Sequence, residues 1–200
     1  MKNFRVKKFL TALLIVVASV SLIAGCGDSK KEIVPLKTTT LQLDKTSLEV
    51  GAPFELSDMT VDDLEGGEAY VKKVIIKTND QYDVIVMAWG YVFDKEKIES
   101  QTGKPFTPSV DGALLGAVGN MKNIQSTDPV KDVVINGMNG KEINGKIKIA
   151  FKGDKELSTA ELRMVAFGRG DELWMVGVIR KPNDKTKTIS DAVFNSLKIL

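Results

Sequence analysis

The chain has 200 residues, with 28 basic and 26 acidic side chains, one cysteine and no histidine. This composition excludes histidine-dependent zinc sites, Ser-His or Cys-His catalytic pairs and histidine acid-base steps. Both signs of charge are mixed along the chain, so we expect no continuous positive surface for nucleic acid.

The N-terminal 25 residues have the layout of a secretory signal peptide. The first eight, MKNFRVKK, include four basic side chains and no acidic one, and residues 9–24 are uncharged and almost wholly apolar. This apolar run is shorter than the roughly 20 residues of a stable transmembrane helix. We therefore expect residues 1–25 to be removed from the mature protein.

The sequence Ile23-Ala24-Gly25-Cys26 resembles the bacterial lipobox, in which a branched apolar residue and two small residues precede the cysteine that is modified. The resemblance implies that Cys26 carries a diacylglyceryl group and that cleavage falls between Gly25 and Cys26. A buried core thiol or one half of an intermolecular disulfide are the alternatives for a lone cysteine. We expect a lipid-anchored protein on the extracytoplasmic face of the cell membrane.

The mature chain is predicted to be a tether followed by one domain. Residues 26–37 comprise the lipidated cysteine and a polar, lysine- and threonine-rich stretch, and residues 38–200 are predicted to form a single domain. Removal of the four basic signal side chains changes the formal net charge from +2 to about −2. The expected partners are the membrane and an envelope protein, and no cofactor is expected.

Strand signals dominate the first half of the domain. Alternating apolar residues between 40 and 56 predict one or two short strands, which break at Gly51 and Pro53. Two runs of β-branched and aromatic residues, 68–79 and 82–93, predict a hairpin with its turn at residues 79–81. These segments together predict antiparallel pairing.

A helix is predicted next, with Thr107 as its cap and Pro108 in its first position, because apolar residues then recur at helical spacing as far as residue 121. Three glycines would weaken this helix in isolation, so we interpret them as sites of close approach to a sheet. They are Gly112, Gly116 and Gly119.

From residue 132 the strand pattern resumes and predicts a meander. Its turns are expected at residues 139–140, 144–145 and 168–171, where Asn-Gly and Gly-rich pairs occur. Residues 182–188 are predicted to be a loop. Thr188 and Asp191 resemble a capping box, which would open a last helix.

Three short motifs suggest chemistry, and each has a plainer explanation. GKEINGKI at residues 140–147 matches a phosphate-binding loop through its lysine, but isoleucine replaces the hydroxyl residue, so we interpret it as two turns. Arg-Gly-Asp at residues 169–171 is the tripeptide that integrins recognise, and we interpret it as a hairpin turn. The acidic stretch could bind a hard cation or flank a glycosidic bond, and we interpret it as a solvated loop. Its carboxylates are Asp58, Asp62, Asp63, Glu65 and Glu68.

Two tryptophans are candidates for ligand contacts. Trp89 alternates with Tyr91 and Phe93 on one face of a predicted strand, and Trp174 lies in the last hairpin. Such aromatic side chains could line a cleft, although core packing produces the same pattern.

The order of elements from residue 70 onward resembles one known family. A strand pair, a glycine-rich helix, the segment VVINGMNGKEINGKIKIAF, a long hairpin and a closing helix resemble the PsbP-like α/β/α sandwich lipoproteins. The resemblance implies an α+β fold, an antiparallel sheet packed with about two helices, and a non-catalytic docking or assembly role. A small-ligand carrier and a carboxylate-based enzyme acting on envelope glycans are the alternatives.

Overall fold

The computed structural model describes residues 35–59 and 70–200, which belong to one compact unit. Its larger sheet has eight antiparallel strands in the order β3-β4-β5-β10-β9-β8-β6, with β7 also paired to β8. The bounds of these strands are β3 Ser57–Asp58, β4 Val71–Gln81, β5 Val84–Phe93, β6 Ile124–Thr127, β7 Lys131–Ile135, β8 Met138–Ile149, β9 Ser158–Arg169 and β10 Glu172–Arg180.

A smaller sheet and three helices complete the described structure. The smaller sheet has the order β1-β2-β11, with antiparallel pairing throughout. The bounds are β1 Lys37–Gln42, β2 Ser47–Ala52, β11 Lys198–Ile199, α1 Lys95–Thr102, α2 Val110–Gly119 and α3 Asp184–Ser196. The predicted α+β class with antiparallel sheets is therefore confirmed.

Each face of the larger sheet has its own hydrophobic core, because side chains on a strand alternate between the two faces. The first core joins Trp174 and Phe167 to α3 and to the smaller sheet, which contributes Leu48 and Val50. The second core places Leu114 of α2 over the opposite face. The sheet is therefore covered on both sides, as in a three-layer sandwich.

None of the three helices in the described residues is both long and apolar enough to cross a membrane. The signal peptide, Cys26, the tether as far as residue 34 and residues 60–69 of the acidic stretch lie outside the described residues. The predictions for cleavage and lipid attachment therefore stay predictions.

Three of the four predicted turns need correction. The first hairpin turns at Tyr82 and Asp83, with φ of 57° and 61°, and not at residues 79–81. Residues 139–140 and 144–145 are not turns but lie inside β8, and the chain turns from β7 into β8 through Asn136 and Gly137 at positive φ. In the strand, a Cβ at position 140 would lie 2.5 Å from a backbone oxygen of β9, so glycine is required there for close strand approach.

The predicted helix starts also need correction. Helix α2 begins after Ser109, whose side-chain oxygen accepts a hydrogen bond from the backbone of Gly112 at 3.0 Å, and not at Thr107 or Pro108. A Cβ at Gly116 or Gly119 would meet no atom within 4 Å, and a Cβ at Gly112 would meet only Ser109, so none of the three glycines predicted to approach the sheet does so.

Helix α3 begins four residues earlier than its predicted capping box. Its N-cap is Asn183, whose side chain accepts from the backbone of Thr186 at 2.9 Å. Thr188 lies inside the helix, where its hydroxyl donates to the carbonyl of Asp184. Helix α1 was not predicted, because its residues are polar and none of them is buried.

Candidate functional site

The candidate site is an open groove of about 550 Å³ at one end of the larger sheet. Four cationic side chains line it, from the β1–β2 loop, the start of α1, strand β8 and the end of β9. We call it the basic groove and define it by these side chains, Lys45, Lys95, Lys141 and Arg169.

The groove also has an apolar wall next to its cationic rim. Phe106, Pro108 and Val110 line it, and the Phe106 ring packs against Phe93 with their centroids 5.5 Å apart. The backbone N–H of Phe106 donates to the Glu99 carboxylate at 2.8 Å, which fixes the loop that carries the ring. The wall is therefore held in place by helix α1 and strand β5.

The tight turn between β9 and β10 positions the far side of the groove. Gly170 has φ of 63°, a conformation that favours glycine. The backbones of Arg169 and Glu172 lie opposite each other in the strand register on either side of the turn. The backbone N–H of Phe93 donates to the carbonyl of Asp171 at 3.0 Å. Arg169 is exposed, and among the described residues no carboxylate lies within salt-bridge distance of it.

Two acidic residues of the lining hold neighbouring lysines in place. Lys45 lies 2.6 Å from Asp171, and this hydrogen bond raises the pKa of Lys45 and lowers that of Asp171. Lys141 lies 3.0 Å from Asp132, and the hydrogen bond between them raises the pKa of Lys141. Both lysines are therefore fully charged at neutral pH.

The β1–β2 loop that carries Lys45 is fixed by a buried carboxylate. Glu172 has no exposed surface, and it accepts hydrogen bonds from the backbone of Lys45 at 2.7 Å and from the Thr46 hydroxyl at 2.6 Å. The indole of Trp174 donates to the same hydroxyl at 2.8 Å. Glu172 therefore has a positioning role for one side of the groove.

A second cavity, of about 290 Å³, lies between the larger sheet and α3. Both arginines of its lining are paired with carboxylates: Arg163 donates to Glu142 at 2.8 and 2.7 Å, and Arg180 pairs with Glu161. Arg163 also lies over the ring of Phe194, 4.1 Å from its centroid. These contacts tie β8, β9, β10 and α3 together, so we assign them to stability.

Glu142 is the buried charge of this network. Burial opposes its ionisation, but hydrogen bonds from Asn144, Lys131 and Arg163 outweigh that effect, so the pKa of Glu142 lies below its ordinary value. A carboxylate held ionised in this way is poorly suited to donate a proton near neutral pH.

The two tryptophans proposed as ligand contacts do not share a cleft. Trp174 belongs to the core beneath the smaller sheet and α3, whereas Trp89 belongs to the core on the opposite face. Adjacent residues on one strand point to opposite faces, and Trp89 pairs with Met175, the neighbour of Trp174. Both are core residues, which corrects the idea of one aromatic site.

The short motifs also have structural roles. The Arg-Gly-Asp tripeptide forms the β9–β10 turn as predicted, and its Asp171 forms an ion pair with Lys45. GKEINGKI forms part of strand β8. Asp58 is exposed and pairs with Lys77 at 2.7 Å, while the other four acidic residues lie outside the described residues. In residues 35–59 and 70–200, no three His, Cys, Asp or Glu side chains are grouped to hold a metal ion.

Comparison with known proteins finds similar solved structures. No family model matches the chain, and no curated protein matches it. The solution structure of cyanobacterial PsbP (CyanoP) from Synechocystis sp. PCC 6803 is similar, with 11% identity and a TM-score of 0.46. The match covers 89% of this chain and 99% of that one.

Proposed function

We propose that this chain is an extracytoplasmic lipoprotein, anchored through Cys26, with a non-catalytic binding or assembly role. The observation that carries the binding role is the basic groove, in which exposed cations lie beside an apolar wall. Interfaces combine these two features, because apolar contact supplies affinity and charge supplies orientation and partner choice.

The hydrogen bonding of the buried carboxylates supports a binding role over a carboxylate-based catalyst. Glu142 and Glu172, the two buried carboxylates of the described residues, each accept several hydrogen bonds from fixed protein groups. A general acid needs a raised pKa, whereas the pKa of Glu142 is lowered. Both carboxylates therefore serve the framework of the fold.

The anchor is tested by replacing Cys26 with serine in the full chain. A hydroxyl is a much weaker nucleophile than a thiolate, so lipid attachment should be abolished. We expect loss of radiolabelled lipid incorporation and release of the protein from the membrane fraction. A serine variant that is still cleaved normally and still sediments with membranes would contradict the proposal.

The binding role is tested by placing a benzophenone side chain at position 169 in the full chain and irradiating intact cells. Position 155 is the matched control, because it is an exposed lysine site in the loop before β9. Strand β9 has 12 residues, so its ends lie roughly 36 Å apart at about 3.3 Å per residue; position 169 is at one end, and position 155 is in the loop before the other. We expect a discrete crosslinked product only from position 169, and identical products from both positions would refute the proposal.

A further inference from the structure

The chemistry of the basic groove narrows the class of partner. Of its four cations, Arg169 is exposed, and Lys45 and Lys95 expose half or more of their side chains. Lys95 reaches its nearest carboxylate, Glu99, only at 3.7 Å. The charged groups of these side chains line the same groove, so an occupant with several negative charges is favoured.

The two acidic side chains of the lining disfavour a densely charged occupant. Asp132 is 89% exposed and lies beside Lys141, and Asp171 lies beside Lys45, so both contribute negative charge to the groove. A polymer of phosphate groups brings charge at every unit and would meet these carboxylates at close range. Single carboxylates spaced along a chain can approach the lysines and arginine while avoiding both aspartates.

The apolar wall adds a second requirement. Phe106 is half-buried and Val110 is half-buried, so each leaves apolar surface facing the groove. The volume of about 550 Å³ falls within the roughly 300–1,000 Å³ of established ligand sites. An occupant that alternates acidic with apolar side chains would satisfy both the rim and the wall.

We propose that the basic groove binds an acidic peptide segment of a partner protein, in which carboxylate side chains alternate with apolar ones. This inference rests on the proposed binding role and names its ligand chemistry. The lysines held by Asp171 and Asp132 provide fixed positive charge, and Arg169 and Lys95 contact the peptide carboxylates. The Phe106 wall receives the apolar side chains.

The test measures fluorescence anisotropy of a labelled heptapeptide that alternates glutamate with leucine, using the full chain in neutral detergent. The variant is Lys95→Glu with Arg169→Glu. The control is Lys155→Glu with Lys185→Glu, which changes net charge equally at exposed positions away from the groove. We expect saturable binding that weakens at least tenfold in the groove variant and less than twofold in the control.

Four comparison probes test the ligand chemistry further. A glutamine–leucine heptapeptide should not bind, and a glutamate–glycine heptapeptide should bind more weakly because it leaves the wall empty. Inorganic polyphosphate, and vesicles of anionic lipid mixed with the protein after the detergent has been removed, should show no difference between the groove variant and the control. Groove-dependent binding of either one, without peptide binding, would overturn the proposal in favour of a phosphate-bearing ligand.

Folding of the variants is checked by their thermal unfolding, and Arg169→Glu alone provides a second, milder variant at an exposed position. Equal loss of binding in the groove variant and the control would overturn the proposal. If position 169 crosslinks to a partner in cells while the acidic heptapeptide does not bind, the ligand chemistry is wrong and the binding role stands. If position 169 gives no crosslink and the acidic heptapeptide does not bind, both the binding role and the ligand chemistry are wrong.

Discussion

Replacing Glu142 by glutamine is expected to destabilise the fold without changing its shape. Glu142 is 4% exposed and accepts from Arg163, from Asn144 at 2.9 Å and from Lys131 at 3.0 Å. Glutamine occupies nearly the same volume but removes the negative charge and presents an amide that donates. The Arg163 guanidinium would then lose its only buried counter-charge among the described residues.

The size of the effect follows from how deeply the two partners are buried. Breaking a fully buried ion pair costs about 3–5 kcal/mol. The Arg163 side chain is 30% exposed, so water offsets part of this cost and we expect a loss of about 2 kcal/mol. For a domain of this size, that corresponds to a melting temperature lower by roughly 4–8 °C.

The loss should depend on pH in a defined direction. The pKa of Glu142 in the folded protein lies below the ordinary value of 4.5, so its ionised form stabilises the fold above that pH. As the pH falls through the folded pKa, the wild-type carboxyl becomes protonated and loses this advantage. The difference between wild type and Glu142→Gln is therefore constant near neutral pH and shrinks below pH 4.5.

Urea unfolding followed by tryptophan fluorescence measures the effect, because each of the two cores contains one tryptophan, Trp174 or Trp89. The matched control is Asp191→Asn, which removes the exposed pair between Lys187 and Asp191 on α3. The control should lose less than about 0.5 kcal/mol. Equal losses in both variants, or a Glu142→Gln loss that persists unchanged at low pH, would refute the reasoning.

The remaining predictions concern the domain, its packing and the acidic stretch. Residues 38–200 alone should unfold in urea in one cooperative transition, because both cores lie within them, and a biphasic curve would contradict this. Gly90→Ala should cost about 2 kcal/mol by overpacking, since its Cβ would lie 2.5 Å from the Trp174 ring. Gly116→Ala, where a Cβ meets nothing, should instead stabilise α2 by roughly 0.5–1 kcal/mol in the same assay. Neutralising three residues of the acidic stretch together should leave thermal unfolding unchanged, and a glycan-cleaving activity lost on this change would favour an enzyme. They are Asp62, Asp63 and Glu65.

The sequence predicts the strands well because long apolar runs leave few alternatives. Strands β5, β9 and β10 are rich in β-branched and aromatic residues, and both of their faces are buried. Turn positions are harder, since an Asn-Gly pair such as residues 139–140 fits a turn locally. Strand pairing with β9 outweighs that local preference, because the missing Cβ at Gly140 allows the close approach.

The basic groove could not be predicted in the same way. Lys45 and Asp171 are separated by 126 positions, and nothing local to either one indicates their contact. Arg169 carries a signal, since it belongs to a glycine-rich turn, but the turn explains the tripeptide without a binding role. Long-range packing of the β1–β2 loop on Glu172 assembles the site, and this packing is a property of the fold.

The ion pairs within the groove help to explain how it can bind without reorganising. Free lysine side chains lose conformational entropy when a ligand fixes them, which weakens binding. Asp171 and Asp132 already hold Lys45 and Lys141 in place, so part of this cost is met during folding. The same aspartates lower the net positive charge, so the groove gains selectivity for spaced carboxylates at the expense of general attraction for anions. Arg169, which has no such partner among the described residues, is then the cation whose replacement should reduce the salt dependence of binding most.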